Sequence, residues 1–360
     1  MKIFFIICIL FLLPRSLFAT EKLRIFTWEW YVLEEEVKEV NQLLKQQNYD
    51  IEVEVIKPWA EGPEQMFDVI RGDKCDISFL TVNYIGMQKA RTAKLLQPIN
   101  TSSPRLSNYK HLRAELTNLE MGLQDKKPLY IPFGGGAYGL WADRNKVKES
   151  ELPSSYSDLL SPKWHKKLSL TKTQVQPNVA IALMSLGKSP FYLNDLVKNG
   201  KMEEANELAK PNGELQKRVN ALYAQVATFW DGAPFYINII EASYGVEIIR
   251  ENSKGAKWGL IHFKEPNTVW MDTINFHKSL SGKKLEAAEI FANYFIGKKV
   301  QTRVVEGLSM VSVSRLVDKN PLLDENPKFF DANLFWPPYE QDADNLILRL
   351  SNIAMKAISK

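Results

Sequence analysis

Hydrophobic and polar positions change period several times along the chain, and each change marks an element. Residues 23–27, Leu-Arg-Ile-Phe-Thr, form a short apolar run that reads as a strand. Residues 34–46 follow with Val37, Val40, Leu43 and Leu44 at helical spacing. Residues 51–56, Ile-Glu-Val-Glu-Val-Ile, alternate as far as Val55 and predict a second strand; 66–70 read as helix and 76–80 as strand. This β-α-β-α-β order predicts a parallel sheet covered by helices, with binding residues in the loops at the strands' carboxyl ends. The segments after Phe26 and Leu80 are therefore the first places to look.

A second α/β stretch follows. Strands are expected at 129–132, 167–170, 235–244 and 258–263, and helices at 180–186, 201–209, 214–223, 246–251 and 283–295. The chain shows neither an internal repeat nor a low-complexity linker. Two lobes that share chain crossings fit this better than two domains on a tether.

The start is different. Met1-Lys2, an apolar run over 3–13 and a small residue at Ala19 predict a secretory signal peptide over 1–19, cleaved after Ala19 and leading to the periplasm. Leu17 and Arg15 depart from that pattern and keep an uncleaved anchor as the alternative. The run is too short to span a bilayer comfortably, which takes about 20 apolar residues. Cys8 would leave with this segment. Cys75 sits in a strand-like run and is expected to be a packed thiol, without a disulfide partner.

Composition adds mainly exclusions. Over 360 residues, 46 Lys and Arg face 42 Asp and Glu, a net +4 that carries no nucleic-acid signature without a clustered basic face. Nine Trp, 13 Tyr and 18 Phe favour recognition of a small molecule. Gly134-Gly135-Gly136 lacks the spacing of a phosphate loop, and a hinge or a close backbone approach is the reading. His111, His165, His262 and His277 lack metal-ligand spacing, although His262 and His277 remain free to meet in space. A Gly-x-Ser-x-Gly elbow is missing, and acid pairs such as Asp342/Asp344 are too common to weigh. The expectation is no enzyme, no cofactor and no metal.

Three constellations carry chemistry. Thr27-Trp28-Glu29-Trp30-Tyr31 closes the first strand. Its rings attract an ammonium by roughly 0.5–2 kcal/mol each, and Glu29 adds a carboxylate. Packing of Trp28 and Trp30 between lobes is the competing reading. Trp270 and Asp272 share parity, so on a strand they face one side, ready to hold an alkylammonium end or merely to pack. Glu241 interrupts an apolar run and needs a partner, either a ligand cation or a structural Lys or Arg.

Taken in order, these landmarks resemble the periplasmic solute-binding proteins of polyamine uptake, the spermidine/putrescine type. The similarity runs through 27–32, 75–84, Leu95 to Ile99, Ile131 to Gly139, 157–163 and, most sharply, Trp270-Met271-Asp272. It implies an α/β, two-lobed periplasmic binding protein fold. Each lobe is a mostly parallel sheet flanked by helices, with a hinge between: residues 20–131 with 273–325, and 132–272 with 326–360. It implies a monomer that closes over a polyamine (spermidine, norspermidine or putrescine). The closed form is then read by an ABC permease or by a membrane sensor of the norspermidine, cyclic-di-GMP and biofilm type.

Carried over by position, Trp28, Tyr31, Thr81, Trp270 and Asp272 are ligand residues, with Trp30 beside them. Departures accompany them. Gln176 stands where the family has Glu, Thr173 where it has Asp, Asn83 where Tyr is common, and Ser243 with Tyr244 where Trp is usual. Glu29, Glu241 and Glu340 are the expected compensating acids. An amino acid or organic anion as ligand, and an exported hydrolase, are the alternatives.

Overall fold

A computed structural model describes residues 20–87, 92, 94–232 and 234–359. The expected signal peptide over 1–19, with Cys8, lies outside them. Twelve strands are present among the described residues: β1 (Glu21–Phe26), β2 (Ile51–Val55), β3 (Ile77–Thr81), β4 (Leu123–Gln124), β5 (Lys127–Pro128), β6 (Ile131–Asp143), β7 (Leu168–Thr171), β8 (Val226–Trp230), β9 (Ile240–Ser243), β10 (Trp258–Leu260), β11 (Thr268–Phe276) and β12 (Val311–Ser312). β4 and β5 form a small hairpin. The others make one path, β2-β1-β3-β11-β6-β9-β7-β8, with β10 and β12 also on β6.

The opening β-α-β-α-β reading holds: β1 pairs in parallel with β2 and with β3. In the second half, β7 is parallel to β8 and β9. The two sets meet through β6 and β11, which run antiparallel to each other. β6 pairs β11 and β12 along its first part and β9 and β10 along its last. All 13 of its residues are buried, as a strand shared by two lobes requires. One apolar core gathers Phe79, Phe133, Phe291 and Phe295, largely edge-to-face; the other gathers Leu183, Leu222 and Leu350. The fold is the two-lobed periplasmic binding protein fold.

Some elements differ from the sequence reading. The expected strand over 235–244 is a strand only at Ile240–Ser243. Tyr236 has φ +54°, and the Glu241 side chain accepts the Phe235 N–H at 3.0 Å, so a side chain takes a backbone donor that a ladder would have used. The helix expected at 180–186 starts earlier, at Gln176–Met184, with Pro177 in its first turn, where a missing N–H costs nothing. Cys75 is a packed thiol, pushed up to about 12 by burial, with the Asp76 charge adding to it.

The glycine cluster lies inside β6, where partners come close. A Cβ at Gly136 would fall 2.7 Å from the Trp270 ring, and one at Gly135 would fall 2.6 Å from the Trp270 carbonyl oxygen. We expect Gly136→Ala to cost about 1–3 kcal/mol by overpacking against the indole, read by urea denaturation and by Trp fluorescence. Wild-type stability and emission in the variant would refute this contact.

Candidate functional site

β3 and β11 put Thr81 directly opposite Asp272, so two residues 191 apart in sequence share one face at the centre of the sheet. The Thr81 hydroxyl donates to Asp272 Oδ1 at 2.6 Å. The turn after β1 delivers Tyr31 from above, and its phenol donates to Asp272 Oδ2 at 2.5 Å. Asp272 is buried, and both of its oxygens meet hydroxyls rather than a cation. Burial raises its carboxyl to about 6, against the smaller opposing pull of the Thr81 and Tyr31 hydrogen bonds. Burial and the Asp272 charge in turn push the Tyr31 phenol well above its ordinary range.

Phenols continue from there. Tyr84, on the helix Val82–Met87, lies close to both Thr81 and Asp272. Tyr339 lies close to Tyr84 and within hydrogen-bond reach of Asn83. Tyr244 packs on Tyr138 with ring centroids 5.0 Å apart and donates to Gln174. Trp270 lies over Gly136, on the side of β11 that carries Asp272. Its Nε1, like that of Trp28, is buried without a hydrogen-bond partner. Rings around a carboxylate that has no cationic partner suit an organic cation, which meets quadrupoles on its sides and a charge at its end.

The other named residues meet different partners or face solvent. Trp30 has φ +68° and turns outward, 54% exposed, and Glu29 is exposed beside it. Gln176 donates to Asp344 at 2.7 Å. Glu340 precedes the helix Gln341–Ile358; its N–H donates to Asn194, and its side chain is half-buried. Glu241 is fully buried beside the 234–239 segment, its Oε1 taken by the Phe235 N–H. Burial raises its carboxyl despite nearby donors from Phe235, Ser169, Tyr236 and Asn238. Its carboxylate serves that loop, so Glu241→Gln is expected to leave ligand affinity within twofold by calorimetry; a larger loss would return Glu241 to the site.

His277 is held between Ser279 and the Ile70 carbonyl, whereas His262 is exposed near Glu325, so the two do not meet. Among the described residues no group of three His, Cys, Asp or Glu side chains is placed to hold a metal.

The profile of the bacterial extracellular solute-binding proteins matches residues 77–335. The chain belongs to that family, whose members bind small molecules without transforming them and work with ABC permeases. No functionally curated protein matches it in sequence. Solved structures share its fold at low identity. The spermidine/putrescine ABC transporter substrate-binding protein PotD of Streptococcus pneumoniae aligns with TM-score 0.69 and 17% identity, covering 93% of this chain and 99% of its own. The TpPotD lipoprotein of Treponema pallidum aligns with TM-score 0.69 and 13% identity, covering 93% and 99%. A GABA receptor aligns with TM-score 0.63 and 13% identity, covering 92% and 96%.

In this solute-binding protein the structure brings Tyr84 close to Asp272 and Tyr339 close to Tyr84, two phenols not singled out from sequence. Tyr84 and Tyr339 adjoin Asn83 and Glu340 in sequence. Asp344 carried no signal beyond being one of a common acid pair.

Proposed function

We propose that this protein is an exported receptor for a polyamine of the spermidine, norspermidine or putrescine class. The observation that carries the reading is Asp272: a buried carboxylate without a cationic partner, set among Tyr31, Tyr84, Trp270 and the Thr81 hydroxyl. Lobes of residues 20–131 with 273–325 and of 132–272 with 326–360 close on the ligand as a monomer, and the closed state is what a membrane partner reads. An ABC permease is the partner the family supports; a membrane sensor is the other. Adjacent permease and ATPase genes would favour the first, and an adjacent membrane protein of cyclic-di-GMP metabolism the second. The ligand test is titration calorimetry with spermidine, norspermidine and putrescine against glutamate and succinate. Heat from the amines is expected, and heat from the carboxylates alone would overturn the reading.

A second reading, an amino acid ligand, is favoured by one observation. The buried Nε1 groups of Trp28 and Trp270 are donors without acceptors, and an ammonium does not satisfy them. 4-Aminobutyrate binding more tightly than putrescine would select it.

A further inference from the structure

Asp272 answers one ammonium. A diamine or polyamine brings a second, which needs its own anion, and of the acids named from sequence Glu29 and Glu241 do not supply it. Glu29 is exposed on the outer side of the turn, and Glu241 serves the 234–239 segment. Asp231 is exposed and accepts from Thr173. A different carboxylate adjoins the phenol cluster. Asp344, in the first turn of the helix Gln341–Ile358, accepts from the Gln176 side-chain amide at 2.7 Å, so its partner is neutral. It borders a recess of about 370 Å³, counting space open to solvent, whose aromatic walls are Phe191, Trp336 and Tyr339. Phe191 and Trp336 stand edge-to-face at 5.0 Å, and Trp336 and Tyr339 at 6.3 Å. Tyr339 joins this recess to the Asp272 site, lying near Asp344 on one side and near Tyr84 on the other. Rings beside an uncompensated carboxylate repeat the chemistry found at Asp272.

We infer that Asp344, positioned by Gln176 and walled by Tyr339, is the second anion of the site and meets the far ammonium of a di- or polyamine. This rests on the amine reading above, and it makes ligand selection a matter of two carboxylates on different elements, Asp272 on β11 and Asp344 on the helix Gln341–Ile358. A monoamine uses Asp272 alone; a diamine uses both.

The experiment is calorimetry of the full chain with putrescine and with n-butylamine, on the wild type, Asp344→Asn, and the exchange variant Gln176→Glu/Asp344→Asn. Asparagine keeps an acceptor for Gln176, and thermal melting checks that each variant is folded. Putrescine is expected to bind the wild type at least tenfold more tightly than butylamine. Asp344→Asn should lose at least tenfold for putrescine and under twofold for butylamine. The exchange variant, which returns the charge one hydrogen bond away, should recover most of the loss. If a folded Asp344→Asn variant binds putrescine as the wild type does, the second-anion assignment is overturned while the amine reading stands. If the wild type binds neither amine, nor spermidine, the amine reading fails and the assignment falls with it.

Discussion

Asp272→Asn is expected to lower amine affinity at least a hundredfold and, at neutral pH, to make the ligand-free protein more stable. Both effects come from one buried charge. Truncating one partner of a desolvated, hydrogen-bonded charge pair costs about 2–5 kcal/mol, and a hundredfold corresponds to about 2.8. Without ligand the same carboxylate is a burden, because only the hydroxyls of Tyr31 and Thr81 offset its desolvation. A rise from 3.8 to about 6 amounts to ~3 kcal/mol. Between those two values the native state keeps a proton that the unfolded chain has released. Stability of the ligand-free protein therefore falls as pH rises through that window, and the penalty is complete above about pH 6. Asparagine has no such slope.

Ligand binding follows the opposite sense. The ammonium needs the ionised carboxylate, so wild-type affinity should fall about tenfold for each pH unit below 6, with a proton released on binding there. Urea denaturation at pH 4 and pH 7, and calorimetry from pH 5 to pH 8, check both arms. Full amine affinity in Asp272→Asn would remove this residue from the site, and the proposed receptor function would lose its main support.

How much of this was legible in the sequence depends on the kind of contact. The parity of Trp270 and Asp272 is a local property of a strand, and β11 keeps it. The alternation at 51–56 and the helical spacing at 34–46 are local in the same way, so those elements appear where the pattern puts them. The pairing of Thr81 with Asp272 is not local: it depends on β11 returning beside β3, which no short window shows. Glu241 illustrates a different limit. Its need for a partner was readable, but the choice between a ligand cation and the neighbouring loop rested on the backbone path over 234–239. The outward turn of Trp30 also escapes pattern reading. A left-handed backbone at a bulky residue is held by tertiary contacts, and composition does not signal it.

Those contacts carry the other large prediction. Arg303, on the helix Lys298–Glu306, grips Glu36 with two hydrogen bonds, Nε to Oε1 at 2.6 Å and Nη2 to Oε2 at 2.9 Å. The same guanidinium donates to the Trp30 carbonyl at 3.1 Å and the Tyr31 carbonyl at 2.8 Å. Glu36 is buried and also accepts the Leu33 N–H at the start of the helix Glu34–Gln46. Arg303→Met would leave a buried carboxylate uncompensated and two carbonyls of the site-bearing turn without their donor. Breaking such a pair from one side costs about 3–5 kcal/mol, and that is the expected loss in urea denaturation. Arg303→Lys should recover only part of it, because an ammonium cannot make the planar two-pronged contact. Ligand affinity should fall as well, since Tyr31 reaches Asp272 from the turn that Arg303 holds. Glu36→Gln/Arg303→Met separates the two roles. Removing the buried charge should restore a large part of the stability, while the freed Trp30 and Tyr31 carbonyls should keep affinity low. A loss under 1 kcal/mol in Arg303→Met, or affinity that recovers together with stability in the double variant, would show that the turn keeps its geometry without this clamp.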